Sequence, residues 1–248
     1  MIDTHAHLDA CAEPAPALLA RARAAGVSRV ITVGSGIDSC KASLAIAAAE
    51  NAVACALGVH PHQAGGEDAG RIGELRTLLA SPLAVAVGET GLDFYRDYAP
   101  RAAQRRLFEE QLALAAELDL PVVVHTRDAD DATAELLARF DGTVVLHCFS
   151  SPALLPVALE RDYYVSFAGN VTFPKAGELR DAAAGVRPER ILSETDCPYL
   201  APQPLRGRPN EPAHVVHTVV ALAAARGETT DALAAQIDEN ATRAFALP

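Results

Sequence analysis

The amino-acid sequence predicts an α/β fold, a single (β/α)8 TIM barrel occupying residues 1–248 as one domain. Three observations predict it. Eight short apolar runs alternate with segments of helical period, which implies a parallel sheet. Several of the runs are continuous rather than alternating, Pro121-Val122-Val123-Val124-His125 among them, as in strands covered on both faces. The chain has 248 residues, close to the roughly 250 that such a barrel takes. A doubly wound open sheet is the other arrangement compatible with the alternation, but a barrel closes eight strands better at this length.

In chain order the candidate strands are Ile2–His5, Arg29–Val33, Val53–Val59, Ala84–Glu89, Val122–His125, Val144–His147, Tyr163–Phe167 and Arg190–Glu194. Helical patterns fill the gaps. In Arg101–Leu118 the side chains of Leu107, Leu114 and Leu118 share a face that Phe108, Leu112 and Ala115 widen. Ala129, Ala132, Leu136 and Phe140 keep the same period in Asp128–Phe140. Pro212 suits the first turn of a helix over Glu211–Arg226, and a last helix covers Thr230–Phe245.

Half the residues are hydrophobic, enough for a large core. The first residues, MIDTHAHLD, lack the basic start and apolar stretch of a secretory signal, and no apolar run reaches the roughly 18 residues of a membrane span. The expectation is a cytoplasmic protein with no membrane association. No sustained heptads point to an obligate protein partner. The five cysteines are odd in number and none has C-x-x-C spacing, so a disulfide framework or structural zinc finger is not expected. The net charge of −11 argues against a general nucleic-acid binder, which shows a basic face. It does not exclude an enzyme acting on nucleic acid, because metal ions supply positive charge locally.

The chemistry-bearing residues recur at one place in each unit, the C-terminal end of a strand, where α/β barrels carry their active sites. His5 and His7 are two apart, the spacing that puts side chains on one side of an extended chain. Glu89 ends the run Leu83-Ala84-Val85-Ala86-Val87-Gly88, where a buried carboxylate is costly unless a cation faces it. His125 and His147 end consecutive strands at equivalent positions, and Asp196 follows Ile191-Leu192-Ser193-Glu194-Thr195. Four histidines and two carboxylates from five strand ends exceed what one tetrahedral site holds. They suit two divalent ions about 3.5–4 Å apart, with Glu89 as the bridge. Asp196 and Glu89 are the candidate catalytic carboxylates, Asp196 by accepting a proton from water.

The segments IDTHAHLD, GVHPH, VGETGLDFY, LPVVVHTRDA, LHCFS, VTFPK, ETDCPYLAP and RGRPNEP run in order from Ile2 to Pro212. Together they resemble the TatD family of metal-dependent deoxyribonucleases, within the amidohydrolase-like barrels. The resemblance implies that His5, His7, Glu89, His125, His147 and Asp196 ligate the metals, with Glu89 bridging. It also implies magnesium as the ion and 3′-to-5′ trimming of single-stranded or damaged DNA, or of RNA, by a water that two metals activate. Zinc or manganese would also suit the imidazoles. Ser151 departs from the glycine that commonly follows the HCFS segment, a difference in a loop rather than in a ligand.

Four further residues are expected to contact substrate. His60 lies in a second H-x-H with His62, which is expected to be structural. Glu194 is expected to support a ligand or face substrate. Arg206 and Arg208 lie in a Pro- and Gly-rich loop that also holds Asn210 and Glu211, and arginines there could grip phosphates through paired hydrogen bonds. Lys175 and Arg127 are weaker candidates of that kind, and His214 and His217 read as surface histidines. Gly34-Ser35-Gly36 lacks a dinucleotide fingerprint, and no nucleophile elbow is present. Two rival functions share the fold. One is hydrolysis of a carboxylic ester, lactone or amide, including aminoacyl-tRNA deacylation. The other is a non-catalytic barrel serving as a binding partner in protein quality control or nucleic-acid turnover.

Overall fold

The computed structural model describes all 248 residues. Eight parallel strands follow one another in chain order around a nearly closed barrel: β1 (Ile2–Ala6), β2 (Arg29–Gly34), β3 (Val53–Leu57), β4 (Ala84–Asp93), β5 (Val122–Arg127), β6 (Val144–Leu146), β7 (Tyr164–Phe167) and β8 (Ile191–Ser193). Closure runs through the segment after β8. Ala6 and Cys197 form a parallel bridge, Asp196 N donates to His5 O at 2.9 Å, and His7 N donates to Cys197 O at 2.8 Å. The open-sheet alternative is thereby set aside.

The helices are α1 (Ala15–Ala24), α2 (Ile37–Ala49), α3 (Ile72–Leu79), α4 (Arg101–Leu118), α5 (Asp130–Leu137), α6 (Leu155–Glu160), α7 (Gly177–Gly185), α8 (Val215–Arg226) and α9 (Thr230–Ala244). α4 has the expected bounds. α5 is shorter than Asp128–Phe140, because Asp128 takes a left-handed backbone and Ala129 is still non-helical. The Glu211–Arg226 segment divides into a 3-10 turn over Pro212–His214 and the α-helix from Val215. No helix is long and apolar enough to cross a membrane.

Two apolar clusters follow from the strand alternation. The larger lies between the outer strand faces and the helices. The smaller takes Ile2, Ile31, Val33, Ala56, Ala86, Val123, Val145, Tyr164 and Leu192 from all eight strands and fills the lumen, plugged by Ala241, Ala244, Phe245 and Leu247 from α9 and the tail. A hydroxyl layer lies over that floor, where Thr4 Oγ1 meets Ser166 Oγ at 3.2 Å and donates to Ser193 O at 3.1 Å. The five cysteines are free; Cys11 and Cys197 approach to 3.9 Å between sulfurs.

The largest difference from the expected strands concerns β4, which continues past Glu89 to Asp93. Val87 pairs with Val122 and Thr90 with Val124, so β4 spends one extra residue there. Such a bulge re-aims a side chain, and Glu89 lies within it. Gly88 makes it possible: its φ is +146°, and a β-carbon there would lie 2.5 Å from Val123 O. Period counting cannot detect such an irregularity.

Candidate metal centre

Six side chains expected to meet do converge at the C-terminal mouth of the barrel. His5 ends in Nε2 3.3 Å from His7 Nε2. Both nitrogens lie 3.6 Å from Glu89 Oε2, and they lie 3.9 and 3.5 Å from Asp196 Oδ1. The other oxygen of Glu89 looks the opposite way. Oε1 is 2.9 Å from His125 Nδ1, 2.9 Å from His147 Nε2 and 3.3 Å from His60 Nε2. The donors thus form two lobes that share one carboxylate.

Three of the four ligand imidazoles are aimed by a second contact. His7 Nδ1 faces Val33 O at 3.2 Å, His125 Nε2 faces Asp93 Oδ2 at 3.2 Å, and His147 Nδ1 faces Glu194 Oε1 at 3.1 Å. Carbonyl and carboxylate partners of this kind fix ring orientation and tautomer in metal-binding histidines. His5 Nδ1 is buried without a partner, and its ring stacks on that of His147 at 3.9 Å between centroids.

Burial would raise Glu89, but the surrounding imidazoles, His147 foremost, hold its carboxyl well below the usual range. Burial would likewise raise Asp196, and the hydrogen bond from His7 outweighs it. Burial pulls His7 down, yet Asp196 and Glu89 lift it to about 9. The same contest raises His125 through Asp93 and Glu89, and His147 through Glu89 and Glu194. Burial wins at His5 and also at His60, which falls to about 4. Ionised carboxylates face imidazoles that bind protons tightly, and a divalent cation competes for those same nitrogens. Nitrogen and oxygen donors converging within 4.8 Å, in the groups His5–His7–Asp196, His5–Glu89–His147 and His60–Glu89–His125, fit divalent ions.

A family model described as "TatD related DNase" matches residues 2–246. The chain belongs to the TatD family. An "Uncharacterized metal-dependent hydrolase TatD" of Mycobacterium tuberculosis is 39% identical, covering 100% of this chain and 98% of the relative. A "3'-5' ssDNA/RNA exonuclease TatD" of Klebsiella pneumoniae is 37% identical, covering 93% of this chain and 91% of the relative. Among solved structures, the YJJV TatD homologue of Escherichia coli superposes with a TM-score of 0.93 at 32% identity, covering 100% of this chain and 98% of that one. This TatD chain is therefore a metal-dependent hydrolase.

The remaining expected residues divide. The substrate-facing role for Glu194 is corrected. The carboxylate is fully buried and accepts from Ser166 Oγ at 2.5 Å and Cys148 N at 2.8 Å besides meeting His147, so it has no face left for a ligand. His60 reaches the cluster. Its Nδ1 accepts the backbone N–H of His62 at 3.1 Å, so in the neutral ring Nε2 carries the proton and faces Glu89 as a donor. Arg206 and Arg208 are exposed on the loop after β8 and do not touch the cluster; Arg206 lies over the Phe173 ring, 4.1 Å from its centroid. In the same loop Asn210 ties Thr195 O to Tyr199 O, and Glu211 pairs with Arg21. Lys175 is exposed, Arg127 lies over Tyr95, and His214 and His217 are half-buried.

Sequence reasoning missed the supporting residues. Asp93 takes His125 on Oδ2 and, at 2.8 Å on the same oxygen, His62, while backbone N–H groups of Tyr95 and Arg96 donate to Oδ1. Gln104 and Gln111 on α4 are fully buried. Gln104 binds the backbone of Asp93 on both its N–H and its carbonyl, and Gln111 does the same for Val59, next to His60. Their spacing of seven on the apolar face of α4 is the readable signal, since a polar pair there must clamp something. Asp3 is likewise buried and accepts from Thr195 N at 2.9 Å and Thr195 Oγ1 at 2.6 Å, anchoring the segment that carries Asp196.

Proposed function

We propose that this chain is a cytoplasmic two-metal phosphodiesterase acting as one barrel domain, a 3′-to-5′ exodeoxyribonuclease on single-stranded or damaged DNA, with RNA as a related substrate. The observation that carries the reading is the division of Glu89, whose Oε2 faces His5 and His7 and whose Oε1 faces His125 and His147. The nuclease name of the Klebsiella relative supports the substrate class.

In this reading His5, His7, Glu89 and Asp196 would hold one divalent ion, and Glu89, His125 and His147 a second. Magnesium is the family's expectation; zinc and manganese suit the imidazoles as well. Ions bound there supply Lewis acidity toward the scissile phosphate and make water a nucleophile near neutral pH. Asp196, kept ionised, takes the proton of the attacking water on a carboxylate oxygen. His60 donates its Nε2 proton toward a phosphate oxygen. Arg206 and Arg208, on a loop of the catalytic face, meet phosphates farther along the strand. Asp93 and Glu194 hold His125 and His147 in the tautomers that turn a lone pair toward Glu89.

The test is product analysis with 5′- and 3′-end-labelled single- and double-stranded oligonucleotides in magnesium, manganese and zinc, run beside an ester, lactone and aminoacyl-tRNA panel. Stepwise loss from the 3′ end, abolished by chelation and by Glu89→Ala, supports the proposal. Turnover confined to the carbonyl panel overturns it, and the net charge of −11 is what favours that alternative.

A further inference from the structure

Tyr163 and Tyr164 are buried, whereas Tyr95, Tyr98 and Tyr199 are 57%, 65% and 57% exposed. Val220 on α8 is the one other large apolar side chain so exposed. All three exposed tyrosines lie on loops at the mouth. Tyr95 and Tyr98 occupy the loop after β4, and Tyr199 the loop after β8, four strands away and so across the ring. Tyr199 sets its ring against that of His7, 5.9 Å between centroids at 69°. Tyr98 does the same to His62, at 4.8 Å and 66°, and His62 shares Asp93 with His125. One aromatic thus borders each lobe. Over the Tyr95 ring lies the guanidinium of Arg127, 3.9 Å from the centroid.

We propose that Tyr199 on one side and Tyr98 with the Tyr95–Arg127 stack on the other are platforms for unpaired bases flanking the scissile phosphate. The proposal rests on the phosphodiesterase reading and names residues that would make it selective for single strands. Every base has a π-face that stacks on an aromatic ring without regard to sequence. In a duplex both faces of an internal base are already covered, so only unpaired or frayed nucleotides can use such platforms. The residue type fits as well: a tyrosine keeps an apolar face beside a wetted hydroxyl, whereas a protein-docking face would add aliphatic side chains that this rim lacks. The guanidinium over Tyr95 is a planar cation stacked on a ring and free to meet phosphate.

The experiment compares metal-loaded full-length protein on oligothymidine and on an oligomer of equal length whose residues are tetrahydrofuran phosphates, with no bases. Hydrolysis gives kcat and KM, and fluorescence anisotropy with chelator present gives binding without cleavage. The wild type should prefer the base-bearing oligomer. Tyr98→Ala and Tyr199→Ala should each lose about tenfold or more of that preference, mostly in KM, as loss of a stacked base predicts. Tyr98→Phe and Tyr199→Phe should retain it, and the exposed positions should leave the melting temperature unchanged. Alanine variants with the wild-type preference, or a wild type that treats both oligomers alike, overturn the platforms while leaving the phosphodiesterase reading intact. A wild type that cleaves neither oligomer but turns over carbonyl esters overturns both.

Discussion

Replacing Glu194 separates a residue that aims a ligand from one that touches substrate. The carboxylate sits under His147 and accepts from Ser166 Oγ, Cys148 N and His147 Nδ1. In Glu194→Gln the amide oxygen can keep the Cys148 and His147 donors while its NH2 turns to Ser166 Oγ, whose hydrogen then goes to Thr4 Oγ1, 3.2 Å away. Geometry survives and the charge behind the imidazole is lost. Losing such a partner typically costs 10- to 100-fold in metal affinity, or about 1.4–2.7 kcal/mol. Glu194→Ala instead strands three buried donors at about 1–3 kcal/mol each. That totals about 3–6 kcal/mol with partial relaxation, and lowers Tm by roughly 10–20 °C in a chain of this size. It also frees His147 to take the tautomer whose Nε2 bears a proton. The assay is calorimetric metal titration of each variant beside its metal-free melting curve. The glutamine variant should bind metal more weakly with a nearly unchanged metal-free Tm, and the alanine variant should lose both. Wild-type metal affinity in Glu194→Gln would refute the argument.

Three other outcomes follow from the same geometry. His60→Ala should keep the full metal content by elemental analysis while hydrolysis falls roughly 100- to 1,000-fold, as for one hydrogen-bond donor to a developing charge; loss of one ion would make His60 a ligand instead. The metal-induced rise in Tm should grow between pH 6.5 and about 9. His7 is raised to about 9 in the folded, metal-free chain, so its stabilisation is complete below 6.5 and lost as pH climbs through 9. His125 and His147 are raised too, and metal binding meets less proton competition along the same path. A pH-independent Tm difference across that window would contradict it. Gly88→Ala should cost about 2–6 kcal/mol by chemical denaturation, from backbone strain and the clash with Val123 O, and should weaken metal binding because Glu89 moves with the bulge; a neutral substitution would show the bulge to be dispensable.

What the sequence makes legible and what it hides follow from where each residue sits. His5, His7, His125, His147 and Asp196 can be found because a polar residue closing an apolar run is conspicuous, and because strand ends of a barrel meet by construction. Glu89 is found for the same reason, although the strand it closes on paper runs on to Asp93. The bulge that turns it depends on one glycine and leaves no trace in a two-residue period. Asp93 escapes assignment, and Glu194 is left between supporting a ligand and facing substrate, because a carboxylate behind an imidazole looks the same in sequence as one facing solvent, and only burial separates them. Gln104 and Gln111 are hidden when a helix face is read from its apolar residues alone, and the rim tyrosines because exposure cannot be read from a loop's composition.

The acidity of the chain bears on how a polyanion could be held. Counterion release drives most nucleic-acid binding in proportion to the phosphates that cations neutralise. Here the exposed cations of the catalytic face are few, Arg206, Arg208 and Lys175 among them, within a chain of net charge −11. Attraction at long range is therefore weak, and affinity must come from contacts made after arrival. The mouth offers two kinds: a donor cluster that can gather positive charge around Glu89, and aromatic faces indifferent to the field of the rest of the molecule. Of these the faces are the ones that tell an unpaired end from the middle of a duplex, since every phosphate in either looks alike to a cation. If the chain is the phosphodiesterase proposed above, an acidic barrel with tyrosines at its rim would suit ends, where one or two bases can leave their stack, rather than tracking of a long anionic backbone.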